Sequence, residues 1–261
     1  MATQHPDNAC APYFESDSDG FINSYEEIPE CVSAFKDLGV QEFMWDFEGK
    51  YTDEAVIDKL FSQYYDYFKR NQLGRDLFLT FRLPNIWKEK GYSLMRALMI
   101  ILTSGDFARD LKFHTPPLFE VILPMTERAS QLIFIKNAFQ KIARLKREVF
   151  NHTGGRSTSA LPRLEMIPLL EGVDNQLTAA SLLNQYVVLL KNQLNQRPSY
   201  LRPFLARSDP AMISGLIATI LANKIALSEI AKFSKSSGIP TYPIIGVGSL
   251  PFRGGLTPSH P

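Results

Sequence analysis

Cysteine is nearly absent from this chain: Cys10 and Cys31 are the two in 261 residues. Two thiols without metal-type spacing exclude a disulfide framework and lead us to expect reduced thiols in a cytoplasmic protein. Histidine is scarce too, with four: His5, His114, His152 and His260. Neither sign of charge is in excess, since 28 Lys and Arg face 27 Asp and Glu for a net charge of +1. No global field therefore recruits nucleic acid or an acidic membrane, and any anion binding must be local. Long apolar runs are also missing. The N-terminal MATQHPDNACAP lacks the apolar stretch of a signal peptide, and apolar windows such as Leu94–Leu102 are too short to span a bilayer. There is no low-complexity segment and no sequence repeat. What remains is ordinary for a soluble globular protein: 45% hydrophobic and 21% charged residues, with length for one α/β barrel or at most two small domains.

Along the chain, apolar runs that read as strands alternate with helical spacing. Met1–Gly20 looks irregular, and Ile28–Leu38 has helical spacing that stops before Gly39. Val40–Asp46 reads as a strand, and Thr52 as the N-cap of an amphipathic helix to Lys69. DLFLTFRLPN reads as a second strand ending at Arg82, with a helix after it over Leu94–Thr103. FEVILPMT precedes a long helix, Ala129–Val149. LEMIPLL precedes a helix from about Leu177 to Leu194. YLRPFLARS precedes one from about Ala211 to Ser234, and TYPIIGVG is the last strand. Such alternation predicts an α/β chain of right-handed βα units, a TIM-barrel-like sheet. A closed barrel takes eight strands, and about six are legible before Pro261. The expectation is therefore the N-terminal portion of a single barrel domain, over residues 1–261, whose C-terminal part is absent.

The organising stretch is FLARSDPAMISG, Phe204–Gly215. It reads as a buried strand that presents Asp209 at its C-terminal end, with Pro210 opening the next helix. Glu171 stands just past another apolar run, about one βα unit earlier. Two carboxylates on neighbouring strand ends suit Mg²⁺ or Mn²⁺, with water and substrate completing the shell; alternatively, both simply cap helices. Arg82 and Arg253, each beyond a strand, are forked donors for phosphate or carboxylate, or else surface ion pairs. Gly246, Gly248, Gly254 and Gly255 would let backbone N–H groups approach an oxyanion. His5, in TQHPD, is extended before its proline and is either catalytic or merely solvated. Asp46, Glu48 and Lys50 either orient arginines or form a solvated turn. Trp45 and Tyr64 to Phe68 read as packing residues, and HTGGRSTS (152–159) as a linker or a phosphate nest.

Taken together, TQHPDN, MWDFEGK, FRLPN, EVILPMT, IPLLE, FLARSDPA and GVGSLPFRGG resemble, in order, the blocks of phosphoenolpyruvate carboxylase. They are closest to its shorter archaeal-type branch, and the match runs from Met1 to about Pro258. The resemblance implies a TIM-barrel enzyme, usually a homotetramer, that makes oxaloacetate and phosphate from phosphoenolpyruvate and bicarbonate through carboxyphosphate and pyruvate enolate. It implies Glu171 and Asp209 as ligands of Mg²⁺ or Mn²⁺. Arg253, with Gly254 and Gly255, would hold phosphoryl oxygens, and Arg82 would bind phosphate or orient bicarbonate. His5 would stabilise carboxyphosphate. Two positions depart from the longer enzymes, which have an arginine where this chain has Val247 and a lysine where it has Met212. Two other readings stay open. One is a non-catalytic remnant or assembly partner, and the other a metal-dependent lyase acting on pyruvate-like substrates.

Overall fold

The computed structural model describes residues 1–3, 26–47, 53–88, 91–151 and 162–247. His5, Cys10, Glu48, Lys50, Thr52, residues 152–159, Gly248, Arg253, Gly254 and Gly255 lie outside them. In chain order the elements are β1 (Ala2–Thr3), α1 (Glu27–Lys36), β2 (Glu42–Asp46), α2 (Val56–Gln63), α3 (Tyr65–Arg70), β3 (Phe78–Arg82), α4 (Gly91–Asp110), β4 (Glu120–Leu123), α5 (Ala129–Asn151), β5 (Glu165–Leu170), α6 (Val173–Leu177), α7 (Ala179–Leu194), β6 (Phe204–Ala206), α8 (Ser208–Ser214), α9 (Leu216–Ser237) and β7 (Ile244–Gly246). Strand and helix alternate as expected, and the chain is an α/β, TIM-barrel-like partial fold. Chain contacts divide it into two units: Met1–Val121 with Ala143–Glu165, and Ile122–Ile142 with Met166–Pro261.

In the first unit β1, β2 and β3 are parallel neighbours in chain order. Seven strands are described where about six are legible in the sequence. The extra one, β1, is two residues long and exists through its register with β2, Ala2 opposite Phe43 and Thr3 opposite Met44. No local pattern announces so short a strand. The central residues of β2 and β3 are buried on both sides of the sheet, as parallel strands covered by helices must be. Phenylalanine fills the space between. Phe47 meets Phe81 edge-on at 4.8 Å, and Phe61 meets Phe113 at 5.0 Å and Phe68 at 5.7 Å. Trp45 and Phe68 are buried among the packing residues, as the sequence predicts. The single helix expected up to Lys69 is instead two, α2 and α3, parted at Tyr64, which leaves helical geometry at φ −126°.

In the second unit β5, β6 and β7 are parallel neighbours, with Leu169 opposite Phe204 and Ala206 opposite Gly246. Pro168 has no N–H to donate, and the β5–β6 ladder is confined to Leu169 and Leu170 beyond it. The helix expected from Ala211 to Ser234 is broken into α8 and α9 at Gly215, whose φ of 87° and ψ of 149° belong to a region essentially reserved for glycine. Gly246 has a packing role in the strand: a Cβ there would lie 2.4 Å from the Phe204 ring. Among the described residues no helix is long and apolar enough to cross a membrane.

Candidate active site

Parallel strands expose unpaired backbone groups and their succeeding loops at their C-terminal ends, and a βα fold builds its site there. In the first unit that edge carries Asp46, the last residue of β2, and Arg82, the last of β3, directly opposite each other in register. The arginine grips the carboxylate with two N–H groups. Nε donates to Oδ1 at 2.8 Å, and the second bond joins a terminal guanidinium nitrogen to Oδ2. Both side chains are half-buried, at 23% and 13% exposed, so the fork is held in a fixed plane. The expectation that Asp46 orients an arginine therefore has its geometry. Beyond β3, buried Asn85 accepts the Trp87 N–H at 3.0 Å and shapes the loop of the FRLPN block.

In the second unit the C-terminal end of β5 is followed immediately by Glu171. One of its oxygens, Oε2, accepts the N–H of Met125 at 3.0 Å. Met125 adopts a left-handed conformation, φ 46°, and its neighbour Thr126 is tied to the sheet twice. The Thr126 N–H donates to the Leu169 carbonyl at 3.0 Å, and its hydroxyl to the Leu123 carbonyl at 2.7 Å. These bonds explain the EVILPMT and IPLLE blocks together, since the loop after β4 buttresses the acid after β5.

Asp209 stands in the first turn of α8, one βα unit on. The sequence predicts that Pro210 opens that helix, but the helix starts earlier, at Ser208, with Arg207 as its N-cap residue. Proline is still tolerated, because a first-turn N–H has no intrahelical partner. Asp209 is exposed, and among the described residues nothing donates to its carboxylate.

Three residues that sequence reasoning misses, Arg207, Asn223 and Gln176, hold this edge. Arg207 is buried, and desolvation draws its pKa below the ordinary guanidinium value. Its Nε donates to Asn223 Oδ1 at 3.1 Å, and Asn223 Nδ2 donates to Gln176 Oε1 at 2.8 Å. A faint signal exists for Asn223. It falls in the buried stripe of α9 otherwise made by Thr219, Ala222, Ala226, Ile230 and Phe233, where an amide is out of place unless partnered.

The donor set fits a hard divalent cation. Glu171 and Asp209 offer carboxylate oxygens beyond neighbouring parallel strands, and Asp209 is not committed to another described residue. Among the described residues no group of three or more His, Cys, Asp or Glu gathers as a metal cage. Two protein carboxylates with water and substrate completing the octahedron is the usual manner for Mg²⁺.

The family model described as phosphoenolpyruvate carboxylase matches residues 1–261. The chain belongs to the phosphoenolpyruvate carboxylase family. Curated relatives agree. The phosphoenolpyruvate carboxylase of Oenococcus oeni is 49% identical over 260 residues, 99% of this chain and 50% of the relative. Those of Metallosphaera sedula and Pyrococcus horikoshii are each 40% identical over 100% of this chain, covering 51% and 55% of their own lengths. The chain thus spans about half the length of these phosphoenolpyruvate carboxylases.

Proposed function

We propose that this chain serves the carboxylation of phosphoenolpyruvate by bicarbonate to oxaloacetate and phosphate, an anaplerotic reaction in the cytoplasm. The observation that carries the reading is the whole-chain family match, joined to an acid pair at the β5 and β6 edge that suits a divalent metal. Bicarbonate oxygen attacks phosphorus and the bond from phosphorus to the enol oxygen breaks, leaving carboxyphosphate and pyruvate enolate. Carboxyphosphate loses phosphate to give CO₂, and the enolate carbon forms its new bond to that carbon. Glu171 and Asp209 would hold Mg²⁺ or Mn²⁺, which supplies positive charge for phosphate and enolate oxygens. Arg82, kept in plane by Asp46, presents a cation to phosphate or bicarbonate. His5, Arg253, Gly254 and Gly255 keep the roles that resemblance assigns: His5 at carboxyphosphate, the others at phosphoryl oxygens. Assembly as a homotetramer belongs to the same proposal.

In a second reading, the 261 residues do not turn over alone and work as an assembly component. One assay separates the two. The purified chain is given phosphoenolpyruvate, bicarbonate and Mg²⁺, with oxaloacetate monitored through malate dehydrogenase. Turnover that needs both bicarbonate and metal supports the first reading. A folded chain without turnover supports the second, and loss of phosphoenolpyruvate that needs no bicarbonate and yields no oxaloacetate indicates a lyase of pyruvate-like substrates.

A further inference from the structure

We infer that Gln176 and Asn223 are positioning residues for the divalent-metal site, clamping together the two strand ends that carry Glu171 and Asp209. This rests on the metal-site reading proposed above.

Gln176 Nε2 donates to the carbonyl of Leu170 at 3.1 Å and to that of Ala206 at 2.7 Å. Leu170 is the residue before Glu171, and Ala206 ends β6 on the way to Asp209. A single amide therefore bridges the ends of β5 and β6 where their own ladder stops at Leu170 and Leu205. Asn223, from α9, braces the bridge: its Nδ2 donates to Gln176 Oε1 at 2.8 Å and to the Ala206 carbonyl at 3.3 Å. Its Oδ1 accepts from Arg207 at 3.1 Å. Carbonyls only accept, so each amide nitrogen must face them and the orientation of both side chains is decided.

Both amides are fully buried, at 0% exposed, and both N–H donors of each are used. A buried network whose donors are all used has one low-energy geometry, and an apolar side chain in place of either amide would strip backbone carbonyls and the other amide of a partner. What the network adds is a fixed spacing between two backbone ends. An acid pair that shares one cation depends on that spacing, and groups that orient metal ligands commonly shift affinity about 10- to 100-fold.

The test is Mn²⁺ binding by the 261-residue chain, read from the electron paramagnetic resonance signal of free Mn²⁺ well below the unfolding temperature. Gln176→Leu should weaken binding about tenfold or more while near-ultraviolet circular dichroism stays native. A merely structural role would lower the melting temperature and leave affinity unchanged. Asp209→Asn is the reference. If it weakens binding and folded Gln176→Leu does not, the positioning role is overturned and the metal site stands. If the parent chain binds no Mn²⁺, or Asp209→Asn leaves binding intact, the metal site falls and the positioning role with it. Should Gln176→Leu fail to fold, Asn223→Ser decides by the same criterion, with a loss of about tenfold expected.

Discussion

The first unit packs phenylalanine against phenylalanine, while the second threads amides between its strand ends. Phe35, Phe43, Phe61, Phe68 and Phe113 are buried in the first unit, and the side chains that join its strand ends form a charged fork, Arg82 on Asp46. In the second, the β5 and β6 edge rests on Gln176, Asn223 and Arg207. Aromatic packing is less directional than hydrogen bonding, so it sets stability and tolerates small adjustments. Amide networks are directional and set position. The acid pair proposed to share a cation, which would require a defined separation, sits on the directional half.

The largest effect should come from the aromatic side of this contrast. Phe61→Ala leaves a void among Phe68, Phe107 and Phe113 and should lower unfolding free energy by about 3–5 kcal/mol. Phe61→Leu should cost much less, and denaturant titration of both variants measures the tolerance. Equal costs would mean that the aromatic half is as exacting as the amide half.

Asp209→Ala should do the opposite. Exposed and without a described donor, Asp209 contributes little to folding, within about 0.5 kcal/mol. On the proposed chemistry its loss should lower metal-dependent turnover of an active assembly by about a hundredfold or more. An unchanged rate would remove it from the site.

Arg82→Lys keeps a positive charge but not the fork on Asp46. The expected loss is about 1 kcal/mol of stability, with oxaloacetate formation falling about tenfold. A variant that loses stability alone would assign the fork to folding.

The smallest effect at neutral pH concerns Cys31, buried in α1. Burial, and after it the neighbouring Glu30 charge, push its thiol well above the ordinary range. With the folded pKa raised, the unfolded chain gives up its proton first as pH rises. Stability is therefore full below the ordinary thiol value, about 8.5, and falls above it by at most about 1.4 kcal/mol per pH unit. In a Cys10→Ser background, Cys31 should resist thiol reagents until the chain unfolds, and Cys31→Ala should flatten the alkaline slope. Rapid labelling of native protein would show that the helix opens locally.

Much of the candidate site is legible in the sequence because its residues sit at fixed places in βα grammar. Glu171 after LEMIPLL, Asp209 after FLA and Arg82 at the end of FLTFR can each be found from an apolar run and the polar residues that close it. The single helix expected up to Lys69 and the one from Ala211 fail at Tyr64 and Gly215, for different reasons. Glycine inside an apolar stretch marks a break only when the backbone takes a conformation other residues avoid, and that depends on what the flanking helices pack against. Tyr64 has no such marker: it is neither glycine nor proline, and the residues around it keep helical spacing.

Composition and periodicity by themselves determined the α/β class, the order of strands and helices, and the acids and arginine at strand ends. These are local properties, written in residues close together along the chain. Tertiary structure alone decided that Asp46 would meet Arg82, that the Met125 N–H would hold Glu171, and that Gln176 would be shared by two strands and braced by Asn223. Those partners lie on different elements, and hydrogen-bond direction between them is defined only once the strands are in register and the helices have closed over them.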